Sequence, residues 1–361
     1  MPDSPVVGVV GAGTMGAGIA QLALENGHET ILHDVDAAAL ERGRERIREG
    51  LARRAARLEL DADSIDEWVD GRLSRLRTAA LLDALAAEAA LVIEAALEDV
   101  DLKRTIFRSL DDGAPDDVIL ATNTSALSVA AIAAATAHPG RVIGLHFFNP
   151  APVMALVELV VTVTTDPAVA DRAEAIVAGW GKTVVRCADS PGFIVNRVNR
   201  PFTLEALRMV EAGEASVEAV DAAMRGAGFP MGPFELMDLV GLDVNLAAAH
   251  AIFEGLGRPG RLRPSPIQER LVAAGRLGRK SGTGFYVYGA DGRPTGVAPD
   301  FASSATGASA TDESGIRNRI VAAIRVEAHL VGEAGMATET DIALALRLGA
   351  GHPRGLLLAD E

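Results

Sequence analysis

The chain predicts an α/β fold in which an N-terminal, doubly wound sheet of Rossmann type is followed by an all-helical C-terminal domain. Three observations carry this expectation. A strand, a Gly-rich turn, a helix and a second strand follow one another up to Asp34; short apolar runs then alternate with helical stretches; and beyond Ala188 the alternation stops.

Val6 to Val10 is apolar and β-branched, the turn after it leads into Ala17 to Glu25 with helical character, and Thr30 to Leu32 resumes as a strand that ends at Asp34. Further strands are expected at Leu91 to Ile93, Val118 to Ala121, Val142 to Phe147, Leu156 to Val161 and Thr183 to Val185. One helical stretch holds Arg42, Arg44, Arg46, Arg48, Arg53, Arg54 and Arg57, interrupted by Glu41, Glu45 and Glu49. Such a segment is either a solvated face laced with Glu/Arg pairs or a basic patch for an anion. Ser190-Pro191-Gly192 is a turn-rich breaker and marks the domain boundary. Phe193 to Ala212, Val217 to Met224, Pro233 to Ala251 and Ile267 to Ala274 then read as helices, and Thr283 to Tyr288 as a segment packing onto them.

Ala290 to Ser314 is rich in Gly, Ala, Ser and Asp, a linker by composition. Arg325 to Gly355 echoes Thr203 to Gly232, a partial internal repeat that is expected to pack on the first copy or on another subunit. The resulting domains are 1–188 for the sheet, 189–288 for the helices, 289–315 for the linker and 316–361 for the repeat.

The 361 residues are 49% hydrophobic and 23% charged, enough for a sizeable core and two domains. A formal net charge of -15 argues against general nucleic-acid affinity. No apolar run approaches the ~20 residues of a membrane span, and no basic stretch precedes Val6, so the chain reads as soluble and cytoplasmic with no membrane partner. A lone Cys187 excludes an internal disulfide framework, and the seven histidines show no metal-ligand spacing, so no metal is expected.

Gly11-x-Gly13-x-x-Gly16, with Thr14 and Met15 between the last two glycines, sits between a strand and a helix. The first glycine permits the tight turn, the second lets the backbone approach a pyrophosphate, and the third allows close helix–strand packing at an anion-favouring helix N-terminus. Asp34 closes the second strand, where a carboxylate accepts hydrogen bonds from a ribose 2′-OH and repels a 2′-phosphate. The acid favours NAD over NADP; the turn by itself also admits FAD.

Oxidation of an alcohol by NAD needs a base, and His146 stands at the end of an expected strand, on the edge where ligands bind in open α/β sheets. Glu158, early in the next strand, is able to orient its imidazole. From spacing alone a core histidine and an unrelated rim glutamate are the preferred description.

The segments GAGTMGAGIA (Gly11 to Ala20), NTS (Asn123 to Ser125), LHFFNP (Leu145 to Pro150), PGFIVNR (Pro191 to Arg197) and PMGPFEL (Pro230 to Leu236) resemble the 3-hydroxyacyl-CoA dehydrogenase family, in order and with family-like spacing from Val6 to Tyr288. The resemblance implies that His146 is the general base, Glu158 its partner, and Ser125 and Asn196 contacts to the substrate's 3-oxygen. Read alone, Ser125 is a loop or cap serine and Asn196 a polar helix residue. It also implies that Glu98, Lys103, Ser125 and Asn149 line the NAD site with Asp34, and that coenzyme A lies along the helices after Asp34, near Arg53, Arg54 and Arg57. Gly50 stands where the family sometimes has a serine. PMGPFEL resembles the family's dimer-forming region, which implies a homodimer through the helical domain. The expected activity is NAD-dependent, reversible oxidation of an (S)-3-hydroxyacyl-CoA, 3-hydroxybutyryl-CoA in particular. Its alternatives are a dehydrogenase of a free 3-hydroxy acid and a catalytically silent NAD-binding protein.

Overall fold

The computed structural model describes residues 4–302 and 311–357. It divides into two compact units, Met1–Asp189 and Ser190–Glu361.

In the first unit the order is β1 (Val7–Val10), α1 (Thr14–Glu25), β2 (Thr30–His33), α2 (Ala37–Arg57), α3 (Ala62–Leu73), β3 (Leu76–Thr78), α4 (Leu82–Glu88), β4 (Leu91–Glu94), α5 (Val100–Gly113), β5 (Ile119–Thr122), α6 (Val129–Ala133), β6 (Val142–Phe147), β7 (Leu156–Val161), α7 (Pro167–Gly179) and β8 (Thr183–Ala188). The strands form one eight-stranded sheet ordered β3-β2-β1-β4-β5-β6-β7-β8, parallel except where β6 meets β7. Strands β1, β2, β4 and β5 are buried at every position, which is why they read as unbroken apolar runs rather than as alternation. The core of the unit is built from these strands and from Ile19, Leu24, Ile47 and Leu51 on the helices. Strand β3 was not expected from the sequence: it is three residues long at the sheet edge, and of Leu76, Arg77 and Thr78 only the leucine is buried. Such an edge strand carries almost no hydrophobic signal.

The turn between β6 and β7 makes them antiparallel, and the register sets His146 opposite Glu158. The unit closes at Asp189, whose Oδ2 accepts hydrogen bonds from Ser128 Oγ and Ala130 N at the start of α6, both at 2.8 Å.

Among the described residues the second unit is helical apart from one hairpin. It runs α8 (Val195–Val198), α9 (Arg200–Glu211), α10 (Val217–Gly226), α11 (Pro233–Val240), α12 (Leu242–Gly255), α13 (Pro266–Ala273), β9 (Tyr286–Tyr288), β10 (Pro294–Val297), α14 (Glu313–Glu333) and α15 (Glu339–Ala350). Two expected helices are each broken in two. Pro201 stands in the first turn of α9, and Gly241, at φ 102°, ends α11 in a conformation that a side chain rarely adopts.

The linker expected over 289–315 is corrected on both flanks: β10 pairs with β9, Pro299–Phe301 forms a 3-10 turn that buries Phe301, and α14 begins at Glu313. Within that stretch, 303–310 lie outside the described residues. The hairpin of β9 and β10 is a small non-helical addition to the helical domain that the sequence predicts. Asp221 and Asp238, both fully buried, hold it in place. Asp221 accepts from the Tyr286 hydroxyl (2.7 Å) and the Phe234 amide (2.9 Å). Asp238 accepts from the amides of Phe285 (3.0 Å) and Tyr286 (2.9 Å) and from the Tyr288 hydroxyl (3.1 Å). Burial pushes the Asp221 carboxyl up to about 7 and raises Asp238 as well. Among the described residues no single helix is long and apolar enough to cross a membrane.

Candidate active site

The turn between β1 and α1 is shaped as its glycines predict. Gly11 has φ 99°, and a Cβ there would stand 2.6 Å from Ala95 O; a Cβ on Gly16 would stand 1.7 Å from Gly11 O, so α1 lies directly on the turn. Gly13, in contrast, is exposed and faces open space where its Cβ would be. Gly13 is also the N-cap of the twelve-residue α1 and has no side chain to satisfy the first-turn amides. Thr14 is exposed and Met15 half-buried beside it. An open, side-chain-free helix N-terminus is what a pyrophosphate requires. Half-buried Asp34 sits at the end of β2 with its Oδ2 accepting from Ala12 N at 2.8 Å, which fixes the carboxylate next to the turn. The cradle and the acid therefore fit a dinucleotide with a free ribose diol.

Along the same sheet edge, His146 is the next-to-last residue of β6, buried, with its Nδ1 2.6 Å from Glu158 Oε2; Glu158 is fully buried on β7. A carboxylate only accepts, so Nδ1 carries the proton and Nε2 is left as the proton-accepting nitrogen. Asn123 ties the neighbouring strand to this one: its Oδ1 accepts from Phe147 N at 2.9 Å. Asn123 was legible only as part of NTS, without a role.

Glu98 and Lys103 occupy places that differ from a simple lining of the cofactor site. Lys103 is 1% exposed and donates to both carboxylate oxygens of fully buried Glu94, at 2.7 and 2.9 Å, with Glu98 Oε2 farther away at 3.5 Å. Glu94 also accepts from Thr122 Oγ1 and Ala96 N, both at 2.7 Å. Glu98 Oε1 accepts from Thr124 Oγ1 (2.6 Å), Ser125 N (2.9 Å), Ala126 N (3.2 Å) and, weakly, Ser125 Oγ (3.4 Å). Glu98 thereby holds the turn that presents Ser125, while Lys103 and Glu94 support it from within. Glu94 is a site residue that sequence reasoning missed, since one acid ending an apolar strand has no distinctive pattern. Asn196 lies in the second unit, on the four-residue α8.

A cleft of about 300 Å³ opens beside α1 and is lined by Arg46, Arg53, Arg54 and Arg57 from α2 and by Asn149 to Val153 after β6. Helical periodicity resolves the mixed charges of α2. Arg42 and Arg48 pair on exposed faces with Asp36 (3.3 Å) and Asp70 (3.1 Å), whereas Arg46, Arg53, Arg54 and Arg57 share the face turned to the cleft. Arg46 is the lining arginine that the sequence did not single out. Gly50 lies between them because α2 crosses α1 there: a Cβ would stand 1.9 Å from Gln21 Oε1. A serine at this position would require Gln21 to move. Lys182 braces the loop from below, donating to Ala151 O (2.7 Å) and Met154 O (2.8 Å); burial lowers its ammonium to about 8.

Comparison with known proteins agrees with this arrangement. Residues 6–190 match the 3-hydroxyacyl-CoA dehydrogenase NAD-binding domain and residues 192–288 the C-terminal domain of the same family. The chain is 47% identical to the 3-hydroxyadipyl-CoA dehydrogenase of Escherichia coli K12 over 81% of its own length and 60% of that protein's. It is 46% identical to a 3-hydroxybutyryl-CoA dehydrogenase of Mycobacterium tuberculosis, over 78% of this chain and 98% of the relative. The crystal structure of a 3-hydroxybutyryl-CoA dehydrogenase from Escherichia coli K12 superposes with a TM-score of 0.86 at 36% identity, covering 98% of this chain and 90% of that one. The chain belongs to the 3-hydroxyacyl-CoA dehydrogenase family of NAD-dependent oxidoreductases.

Proposed function

We propose that the chain reversibly oxidises an (S)-3-hydroxyacyl-CoA to the 3-oxoacyl-CoA, with short acyl groups such as 3-hydroxybutyryl as its substrates. The observation that carries this reading is the buried His146–Glu158 pair, at 2.6 Å, on the sheet edge shared with the Gly11 turn. NAD, when bound, supplies the acceptor for the hydride leaving C3. His146 Nε2 takes the hydroxyl proton, and Glu158 fixes the tautomer and stabilises the imidazolium that results. Ser125, on the turn gripped by Glu98, and Asn196 donate to the 3-oxygen, where preorganised donors favour the transition state. Arg46, Arg53, Arg54 and Arg57 supply four guanidiniums to the phosphates of coenzyme A, a recognition suited to arginine's fork of donors. This cleft favours the thioester over a free hydroxy acid. The short-chain assignment rests on the relatives named for 3-hydroxybutyryl-CoA.

The test is consumption of NADH with acetoacetyl-CoA. The parent chain should turn over, and His146→Gln should lower kcat by about 10²–10⁴-fold while NADH still binds. A parent that binds NADH yet leaves the thioester untouched would sink the reading; reduction of free acetoacetate instead would redirect it to the free acid.

A further inference from the structure

Residues 148–155 join β6 to β7 and border two clefts of the first unit. In the arginine-lined cleft Asn149 to Val153 form one wall and the arginines of α2 another. A second cleft, of about 360 Å³, shares Pro152 and Val153 with the first and adds Ala155, Lys182 and, from α3, Trp68 and Arg72. A segment exposed to two clefts has little core to rest on: of 151–155 only Ala151 is buried, and Val153 is 57% exposed. On one side α1 meets the loop at Gly18, where a Cβ would stand 3.3 Å from Pro152 Cδ. Within the loop the amides of Val153 and Met154 both donate to Pro150 O, at 2.9 and 3.0 Å. Ala151 O and Met154 O, which this turn does not use, accept from Lys182 Nζ at 2.7 and 2.8 Å. The next residue, Thr183, donates its amide to Ala155 O at 2.8 Å, so the start of β8 ties the loop at three carbonyls.

Lys182 differs from Lys103, the other buried lysine of the unit. Lys103 has the Glu94 carboxylate at 2.7 Å, whereas Lys182 is met by the two loop carbonyls and, among the described residues, forms no ion pair. Around it Glu25 of α1 favours the ammonium, Arg54 of α2 disfavours it, and Arg72 of α3 lines the same cleft; burial outweighs the acid and lowers Lys182 to about 8. Keeping a charge there against desolvation is a poor way to fill space. It is an effective way to fix two carbonyls, because hydrogen bonds from a charged donor are about twice as strong as neutral ones.

We propose that Lys182 is a positioning residue for coenzyme A: through Ala151 O and Met154 O it sets the loop wall of the arginine-lined cleft at the distance from α2 that fits the phosphate-bearing end of the thioester. The proposal rests on the acyl-CoA reading above. Because Lys182 acts through the loop and not on the reacting carbon, it governs affinity for the coenzyme A portion and leaves the chemical step alone.

Lys182→Met in the full chain, which keeps the length of the side chain and removes its donors, tests it. By hydrogen exchange the amides of Val153 and Met154 should open faster than in the parent, while those of β8 keep their rates. KM for acetoacetyl-CoA should rise about 3–30-fold with kcat held within about twofold, and KM for the pantetheine thioester should not move. Lys182→Arg, which keeps charge and donors, should restore most of the affinity. Unchanged exchange in Lys182→Met would show that the loop is held without this lysine, and a fall in kcat with both thioesters would make Lys182 part of the general frame of the site; either outcome overturns the proposal. Should Lys182→Met fail to fold, the parent gives the same distinction. Its KM for acetoacetyl-CoA should climb relative to that for the pantetheine thioester as pH rises through about 8, where the ammonium is lost, and a level ratio would refute the assignment. No turnover of acetoacetyl-CoA by the parent at any pH would instead end the acyl-CoA reading, and the proposal with it.

Discussion

A buried ammonium is tolerated only where partners replace the water it has lost, and Lys103 has both oxygens of Glu94 for that purpose. The same carboxylate also serves Thr122 and Ala96, so a single side chain closes three hydrogen-bonding deficits under the candidate site. Glu94→Ala should therefore destabilise the first unit by about 3–5 kcal/mol in urea unfolding, far beyond the loss from an exposed ion pair. The variant should also weaken NADH binding, because Glu98 is the remaining acid near Lys103, and drawing it inward takes it from the turn of Ser125. A loss under about 1 kcal/mol would mean that the pair is replaceable by solvent. At this scale the sequence conveys identity better than partnership. His146 and Glu158 were found through their place beside a motif, but nothing in LVIE separates Glu94 from any polar residue at a strand end.

Secondary elements translate such residues into surfaces, and α2 does so by periodicity. The packing face uses Ile47, Gly50, Leu51 and Ala55, and the cleft face uses Arg46, Arg53, Arg54 and Arg57. Converting Arg53, Arg54 and Arg57 together to Gln should leave the helix packed and raise KM for acetoacetyl-CoA about 3–30-fold, a range reduced for solvent screening. KM for the corresponding pantetheine thioester, which lacks the nucleotide phosphates, should not change. An equal rise for both substrates would place coenzyme A elsewhere. Elements with strong periodicity were readable from the sequence: the buried parallel strands as apolar runs, and β6 and β7 as two strands. Their antiparallel pairing was not read, although the eight residues 148–155 between them are too few for a parallel crossover. Strand β3, the breaks at Pro201 and Gly241, and the hairpin of β9 and β10 were missed for related reasons. A three-residue edge strand buries one side chain, and a hairpin held by Asp221 and Asp238 draws on polar partners far away in sequence rather than on its own pattern.

Across the second unit, two buried groups pull its stability in opposite directions with pH. Asp221 titrates at about 7 in the fold against an ordinary 3.8, because burial disfavours its charge. Between those values the folded state keeps a proton that the unfolded chain has released, so this contribution is full below 3.8 and is lost as pH rises through about 7. His352, packed against the Phe229 ring, is lowered by burial to about 3 from 6.5. Here the unfolded chain binds the proton first; the contribution is full above 6.5 and is lost as pH falls toward 3. Over the shared window the two slopes oppose each other, so the parent chain should show a muted pH dependence and each variant should expose the slope of the other group. Relative to the parent, Asp221→Asn should become steadily more stable as pH rises from about 4 to 6.5. His352→Phe, which keeps a ring against Phe229, should lose stability over the same range, each by on the order of 2–4 kcal/mol in total. Urea midpoints measured across that range decide it. Parallel curves for parent and His352→Phe would mean that His352 takes up its proton within the fold as readily as in the unfolded chain, and its packing on Phe229 would not require a neutral imidazole.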